Sequence, residues 1–374
     1  MQSRRGFLGR VAAGIAAAAT PPLANRAAAS LPAGASPSLI QLNSNENPYG
    51  PSARARAALE RAQRSASRYP DADEEALIDA IARHHRVSRE EVVLGCGSSE
   101  ILQMADMAFL GEGRKLVSAE PTFEAVLLYA RVTRAEPVKV PLTADFRHDL
   151  AAMAAACADC TGLVYVCNPN NPTGTLATRD EMAAFLKAVP AATVVLVDEA
   201  YHHFVEDRSY ASALELRSRH PNVVVARTFS KVHGLAGMRL GYAVASRENA
   251  DALRAHAPWN NANGAVLAAA LASLDDQAHV ADQRRRLNAT RGWLCRELAR
   301  EGRRFIPSHA NFLMIDVGTD VQPLIAAFRD RGLLVGRRFP SLPTWLRVSV
   351  GTEGEMQAFL RALRALVPAV HTTA

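Results

Sequence analysis

The stretch Thr193-Val194-Val195-Leu196-Val197-Asp198-Glu199-Ala200-Tyr201 decides the fold. An unbroken run of β-branched and aliphatic residues is what a strand buried on both faces requires. This one delivers a carboxylate and a phenol at its carboxyl end. Similar short runs occur at Val92–Leu94, Lys115–Ser118, Val138–Val140, Leu163–Val166, Val223–Ala226 and Gly241–Ala245, each punctuated by Gly, Asn, Pro or Asp. Helical patterning fits 52–66, 74–86 and 99–110, and segments 122–132, 178–188 and 210–219 can carry helices. The alternation predicts an α/β fold whose large domain holds a mostly parallel seven-stranded sheet covered on both faces. Beyond it the pattern changes to a long polar helix over 279–302, strands at Phe312–Val317 and Leu346–Val350, and helices at 321–331 and 353–366. That is a smaller α+β domain. The boundaries read as an N-terminal arm and part of the small domain over 30–66, a large domain over 67–278, and a C-terminal small domain over 279–374.

The chain has 374 residues, 49% of them apolar, and five cysteines, which excludes a disordered chain and a disulfide-stapled miniprotein. Its formal charge of +6 suggests acidic partners until the first residues are read. Arg4, Arg5, Arg10 and Arg26 fall within 1–29, where no acidic residue occurs. Ser3-Arg4-Arg5-Gly6-Phe7-Leu8 resembles a twin-arginine export signal, followed by a weakly apolar run to about Thr20 and a small-residue exit at Ala27-Ala28-Ala29. The expectation is a cleaved signal peptide over 1–29, a periplasmic enzyme that meets the membrane only during export, and no nucleic-acid partner. Cys157 and Cys160 form a lone CxxC, either incidental thiols or a local disulfide. No metal is expected, since neither a second cysteine pair nor spaced histidines accompany it.

Lysine occurs only at 115, 139, 187 and 231. Lys231 lies in Thr228-Phe229-Ser230-Lys231-Val232-His233-Gly234, directly after an apolar strand, with Arg239 eight residues on. Ligands of open α/β sheets gather outside the carboxyl ends of the strands, where this loop falls. Another strand runs into Asn168-Pro169-Asn170-Asn171-Pro172-Thr173-Gly174, a turn rich in amides. Upstream, Gly95-Cys96-Gly97-Ser98-Ser99-Glu100 opens a helix with small residues, exposing N–H groups suited to a phosphate. Hydroxyls, an amine and a guanidinium grouped in this way suit an anionic cofactor carrying an aldehyde.

These residues resemble the fold-type I pyridoxal-phosphate aminotransferases, and most nearly their histidinol-phosphate branch. The resemblance runs from Leu42-Asn43-Ser44-Asn45-Glu46-Asn47-Pro48-Tyr49-Gly50-Pro51 through Arg68-Tyr69-Pro70 to Leu346-Arg347-Val348-Ser349-Val350-Gly351-Thr352. It implies pyridoxal 5'-phosphate held by Lys231 as a Schiff base, with the same amine then moving the substrate's α-proton. Asp198 would pair with the pyridine nitrogen, and Tyr201 and Asn171 would hydrogen-bond the ring's phenolic oxygen. Phe123 would stack on the ring. Ser98, Ser99, Thr228, Ser230 and Arg239 would bind the phosphate. Tyr69 would reach the phosphate of a neighbouring subunit, making the working unit a homodimer with shared sites. Arg347 would grip the substrate carboxylate, with Asn45, Tyr49 and Asn311 close to the substrate.

One position departs from the family pattern. Relatives that recognise a phosphorylated substrate carry an Arg after the Val of a segment like Leu333-Leu334-Val335, where this chain has Gly336 and then Arg337, so the second anion site is either shifted to Arg337 or absent. The resemblance implies amino transfer between an amino acid, aromatic or imidazole-bearing, and a 2-oxo acid. A lyase, decarboxylase or oxidase using the same cofactor remains open at this point, as does a non-catalytic exported binding protein.

Overall fold

In the computed structural model, residues 39–368 are described, so the export signal expected over 1–29 lies outside them. The described strands are, in chain order, β1 Ile40–Leu42, β2 Val92–Gly95, β3 Lys115–Glu120, β4 Glu136–Pro141, β5 Thr161–Cys167 and β6 Val194–Asp198. They continue with β7 Val223–Thr228, β8 Gly241–Val244, β9 Phe305–Ile306, β10 Phe312–Asp316, β11 Leu333–Val335 and β12 Trp345–Ser349.

Strands β2 to β8 form the expected seven-stranded sheet, in the order β2-β8-β7-β6-β5-β3-β4. The neighbours from β4 to β7 are parallel, and β8 is antiparallel to both β7 and β2. Alternation sets the two faces. Leu163, Tyr165 and Cys167 of β5 join Leu196 and Val224 in one core layer, while Val164, Val166, Val195, Val197 and Val225 pack into the layer on the other side. Both layers are roofed by helices, and the sheet's carboxyl edge is left for loops.

Three departures from the sequence reading have physical causes. Segment 210–219 is not a helix but two short 3-10 turns, Ala213–Glu215 and Arg217–Arg219. There the Ser212 hydroxyl and the Ala213 N–H donate to the Glu199 carboxylate, which takes groups that a helix start would use. Helix Gly264–Leu274 escapes periodicity because it is apolar nearly all round, buried against helices Ala53–Ala62 and Asp71–His85. Strands β1 and β11 have three residues each, too short to signal themselves.

The remaining strands form two small sheets. β10 pairs antiparallel with β12 and β9, and β1 pairs parallel with β11, placing Ile40 beside Leu333. Their core gathers Leu294 and Leu298 of helix Gln277–Arg300 with Phe328 and Phe359, whose rings stack at 5.4 Å. The β1–β11 pairing aims the following residues, Asn43 to Asn47, at the carboxyl edge of the large sheet. Among the described residues no helix is long and apolar enough to cross a membrane.

Candidate active site

Strand register brings the site together. Gly95 ends β2 beside Gly241, Gly241 pairs with Thr228 at the end of β7, Ala226 of β7 pairs with Asp198, and Asp198 pairs with Cys167. The segments following β2, β5, β6 and β7 therefore leave from one edge. They enclose a cavity of about 980 Å3, closed on its far side by Asn43–Glu46 and by Val335, Arg337, Phe339 and Arg347.

Ser98 and Ser99 open the helix Ser98–Phe109, whose first N–H groups face outward without helical partners. Gly97 stands at φ +79°, and a side chain there would run into the Arg239 guanidinium. Arg239 Nη1 donates to Ser230 Oγ at 3.4 Å, and Thr228 Oγ1 donates to the same oxygen at 2.9 Å. All five groups line the cavity and make an anion cradle.

Asp198 is buried at the end of β6. Its Oδ1 accepts from the Ala200 N–H at 3.0 Å and its Oδ2 from the Tyr165 hydroxyl at 3.0 Å. Burial pushes this carboxyl up to about 6, against the opposing pull of those two donors and of Lys231. The Tyr201 hydroxyl accepts from Asn45 Nδ2 at 3.1 Å and Asn171 Nδ2 at 3.3 Å, and burial pushes that phenol upward as well. Lys231 Nζ donates to the Ser44 carbonyl at 3.2 Å and lies 5.6 Å from the centre of the Tyr201 ring. Burial first, then the Arg347 guanidinium, lowers Lys231 to about 8, while Glu46 and Asp198 act the other way. An amine in this range has a much larger neutral fraction near neutral pH than an ordinary lysine, and that fraction can serve as nucleophile or base.

Arg347 projects from β12. Its Nη1 donates to Asn171 Oδ1 at 2.7 Å and its Nη2 to the Asn43 carbonyl at 2.8 Å, and its buried Nε has no partner among the described residues. Gly336 makes this seating possible, since a Cβ there would come within 2.7 Å of the Arg347 carbonyl and 2.9 Å of its Cβ. Arg337 follows, with Nη2 donating to Glu124 Oε2 at 2.6 Å and its guanidinium 4.2 Å over the Phe339 ring. Phe123, next to Glu124 in the chain, also lines the cavity.

The cavity thus unites Asn45, Ser98, Ser99, Phe123, Asn171, Asp198, Tyr201, Thr228, Ser230, Lys231, Arg239, Arg337 and Arg347. Three expected residues do not line it. Asn311 stands behind the strap, its Nδ2 donating to the carbonyls of Asn45 at 3.0 Å and Glu46 at 3.3 Å. Tyr49 lies under the Arg286 guanidinium at 5.4 Å, and Tyr69 is 79% exposed on the surface. Cys157 and Cys160 are free thiols, Cys157 Sγ donating to the Met153 carbonyl at 3.3 Å.

Sequence reasoning misses several participants. The carbonyls of Asn43 and Ser44 carry no side-chain signal. Tyr165 shows only as one phenol in a mostly aliphatic strand, and Glu124 and Phe339 become visible only through Arg337, which donates to the first and lies over the ring of the second. The donor set fits an anionic aromatic group with an aldehyde: a cradle for the anion, a buried carboxyl, a phenol, and an amine of lowered basicity.

The family model described as "Aminotransferase class I and II" matches residues 37–363. The chain is 40% identical over 333 residues to a histidinol-phosphate aminotransferase of Moorella thermoacetica, covering 88% of this chain and 86% of that protein. It is 41% identical over 325 residues to an aromatic amino acid aminotransferase of Rhodococcus jostii, covering 87% and 89% respectively. Among solved structures, the histidinol-phosphate aminotransferase from Sinorhizobium meliloti in complex with pyridoxal-5'-phosphate superposes with a TM-score of 0.82 at 28% identity, over 88% of this chain and 90% of that one.

Proposed function

The chain belongs to the class I and II aminotransferases and has their fold-type I architecture. From that premise we propose that it is a pyridoxal-phosphate-dependent aminotransferase whose amino donor bears an aromatic or imidazole side chain, exchanged against a 2-oxo acid. The observation that carries the reading is the convergence of Lys231, Asp198 and Arg347 on one cavity. Bound there, the cofactor supplies an electron-withdrawing ring that weakens the bonds at the substrate α-carbon.

The chain's own residues do the rest. The cradle of Ser98, Ser99, Thr228, Ser230 and Arg239 binds the phosphate. Asp198 keeps the ring nitrogen protonated, and Tyr201 with Asn171 holds the phenolic oxygen. Lys231 anchors the cofactor and, as a neutral amine, accepts and returns the α-proton at Nζ. Arg347 takes the substrate carboxylate in a planar two-point grip, which orients the α-carbon bond to be broken. The strap Asn43–Glu46 excludes water from that side.

The side-chain preference rests on the distal wall. Gly336 brings no cation, and Arg337 is already neutralised by Glu124 while stacked on Phe339. Phe123, Ile325 and Leu334 add apolar surface to the cavity. A flat, uncharged side chain suits this apolar part of a lining that also holds Arg329 and Asp330, of opposite charge. The working unit is a homodimer in which Tyr69, exposed and outside its own cavity, serves the neighbour's phosphate site. Export by the twin-arginine route follows from Arg4 and Arg5. Replacing both by Lys would retain the protein in the cytoplasm, and undiminished periplasmic yield would refute that route.

The test of function is a half-reaction screen. Amino acids are added singly to the holoenzyme, with bound-cofactor absorbance and released product followed together. Aromatic or imidazole-bearing donors should convert the cofactor and release the matching 2-oxo acid. Release of a decarboxylated or eliminated product would overturn amino transfer, and a preference for phosphorylated donors would overturn the reading of the distal wall.

A further inference from the structure

Strand β5 carries one aromatic hydroxyl, that of Tyr165, among mostly aliphatic side chains. Tyr165 is fully buried and does not line the cavity, yet its hydroxyl reaches Asp198 Oδ2 at 3.0 Å from behind the site. Register explains the reach. The ladder partner of Tyr165 is Leu196, and Asp198 lies two residues further along β6 on the same face. Such a diagonal is within range of an aromatic side chain and of few others. Cys167, the direct partner of Asp198, is too short for the task, and its Sγ donates instead to the Pro169 carbonyl at 3.3 Å.

We propose that Tyr165 is a positioning residue that holds the Asp198 carboxylate ionised and fixed in rotation, so that its free lone pairs face the cofactor ring. The proposal rests on the reading of Asp198 given above. The other oxygen, Oδ1, is pinned by the Ala200 N–H, so the two donors together leave the carboxylate one orientation. A buried carboxylate favours its neutral form unless donors stabilise the charge, and Tyr165 is the only side-chain hydroxyl donating to this one among the described residues. Burial first, then the neighbouring carboxylate, holds the phenol well above the ordinary tyrosine range, so it stays protonated. It is a fixed donor.

Replacing Tyr165 by Phe keeps the ring and its packing while removing only the donor. The experiment compares wild type, Tyr165→Phe, Asp198→Asn and the double variant. Pyridoxal phosphate is titrated into each apoprotein, followed by fluorescence, and kcat is then measured on the loaded forms. The expected result is that Tyr165→Phe weakens cofactor affinity and lowers kcat by about ten- to a hundredfold, the loss typical of a hydrogen bond to a charged group. In the Asp198→Asn background the same change should cost less than about twofold, since the charge it supports has gone.

Equal losses in both backgrounds would mean that Tyr165 acts through general packing, and would overturn the proposal. So would a Tyr165→Phe variant that binds and turns over like wild type while Asp198→Asn is impaired. An Asp198→Asn protein that binds cofactor and reacts like wild type would overturn the underlying reading of the site, and the proposal with it. Thermal unfolding of each variant separates these outcomes from a loss of fold.

Discussion

Arg347 and Asn171 are joined across the cavity, the guanidinium Nη1 donating to the amide oxygen at 2.7 Å. The same amide donates from Nδ2 to the Tyr201 hydroxyl at 3.3 Å. A group from β12 is thereby tied to the turn after β5 and the end of β6, so the residues proposed to grip the substrate carboxylate and to hold the cofactor's phenolic oxygen are set as one unit.

That tie makes Arg347 sensitive to a change of shape at constant charge. Lysine at 347 cannot serve Asn171, the Asn43 carbonyl and a planar carboxylate together. Arg347→Lys should lower kcat/KM for amino acids about 10- to 100-fold, mostly through KM, while cofactor absorbance stays as in wild type. Steady-state kinetics on the loaded enzyme measures it, and an unchanged KM would count against the assignment.

Glu124 neutralises Arg337 at the distal wall through a half-exposed ion pair of 2.6 Å. Glu124→Gln frees that cation to meet a substrate. The ratio of kcat/KM for an acidic amino acid over an aromatic one should rise about fivefold, the scale of an exposed pair. Competition assays with glutamate and phenylalanine read the ratio directly.

Lys231 gives a pH signature. Its amine, lowered to about 8, is neutral above that pH and protonated below it. Uptake of pyridoxal phosphate by the apoprotein should therefore speed up as pH rises, with its midpoint at about 8 and its plateau above that. Arg347 is a cation that lowers Lys231, so Arg347→Ala should move the midpoint to higher pH, and Glu46→Gln should move it lower. Stopped-flow absorbance against pH checks both signs.

Much of this site is legible in the sequence because it is built at strand ends. Asp198, Asn171 and Lys231 each follow a run of apolar residues, and a parallel sheet forces such ends to one edge. Arg347 is legible only by resemblance, since nothing in its own strand says that it crosses to Asn171. Tyr165 is hidden for another reason. Its role depends on the register between β5 and β6, which places it diagonal to Asp198 rather than beside it. Helix Gly264–Leu274 was hidden by its own burial, which erases the polar face that periodicity needs.

With only four lysines in the chain, the assignment of Lys231 as the cofactor's anchor is unusually open to test. The holoenzyme is reduced with borohydride, digested and analysed by mass spectrometry for the phosphopyridoxyl adduct. The expected result is a single modified peptide, the one containing Ser230-Lys231-Val232, and none in Lys231→Ala. An adduct on Lys115, Lys139 or Lys187 with Lys231 unmodified, or no adduct in a protein saturated with pyridoxal phosphate, would contradict it.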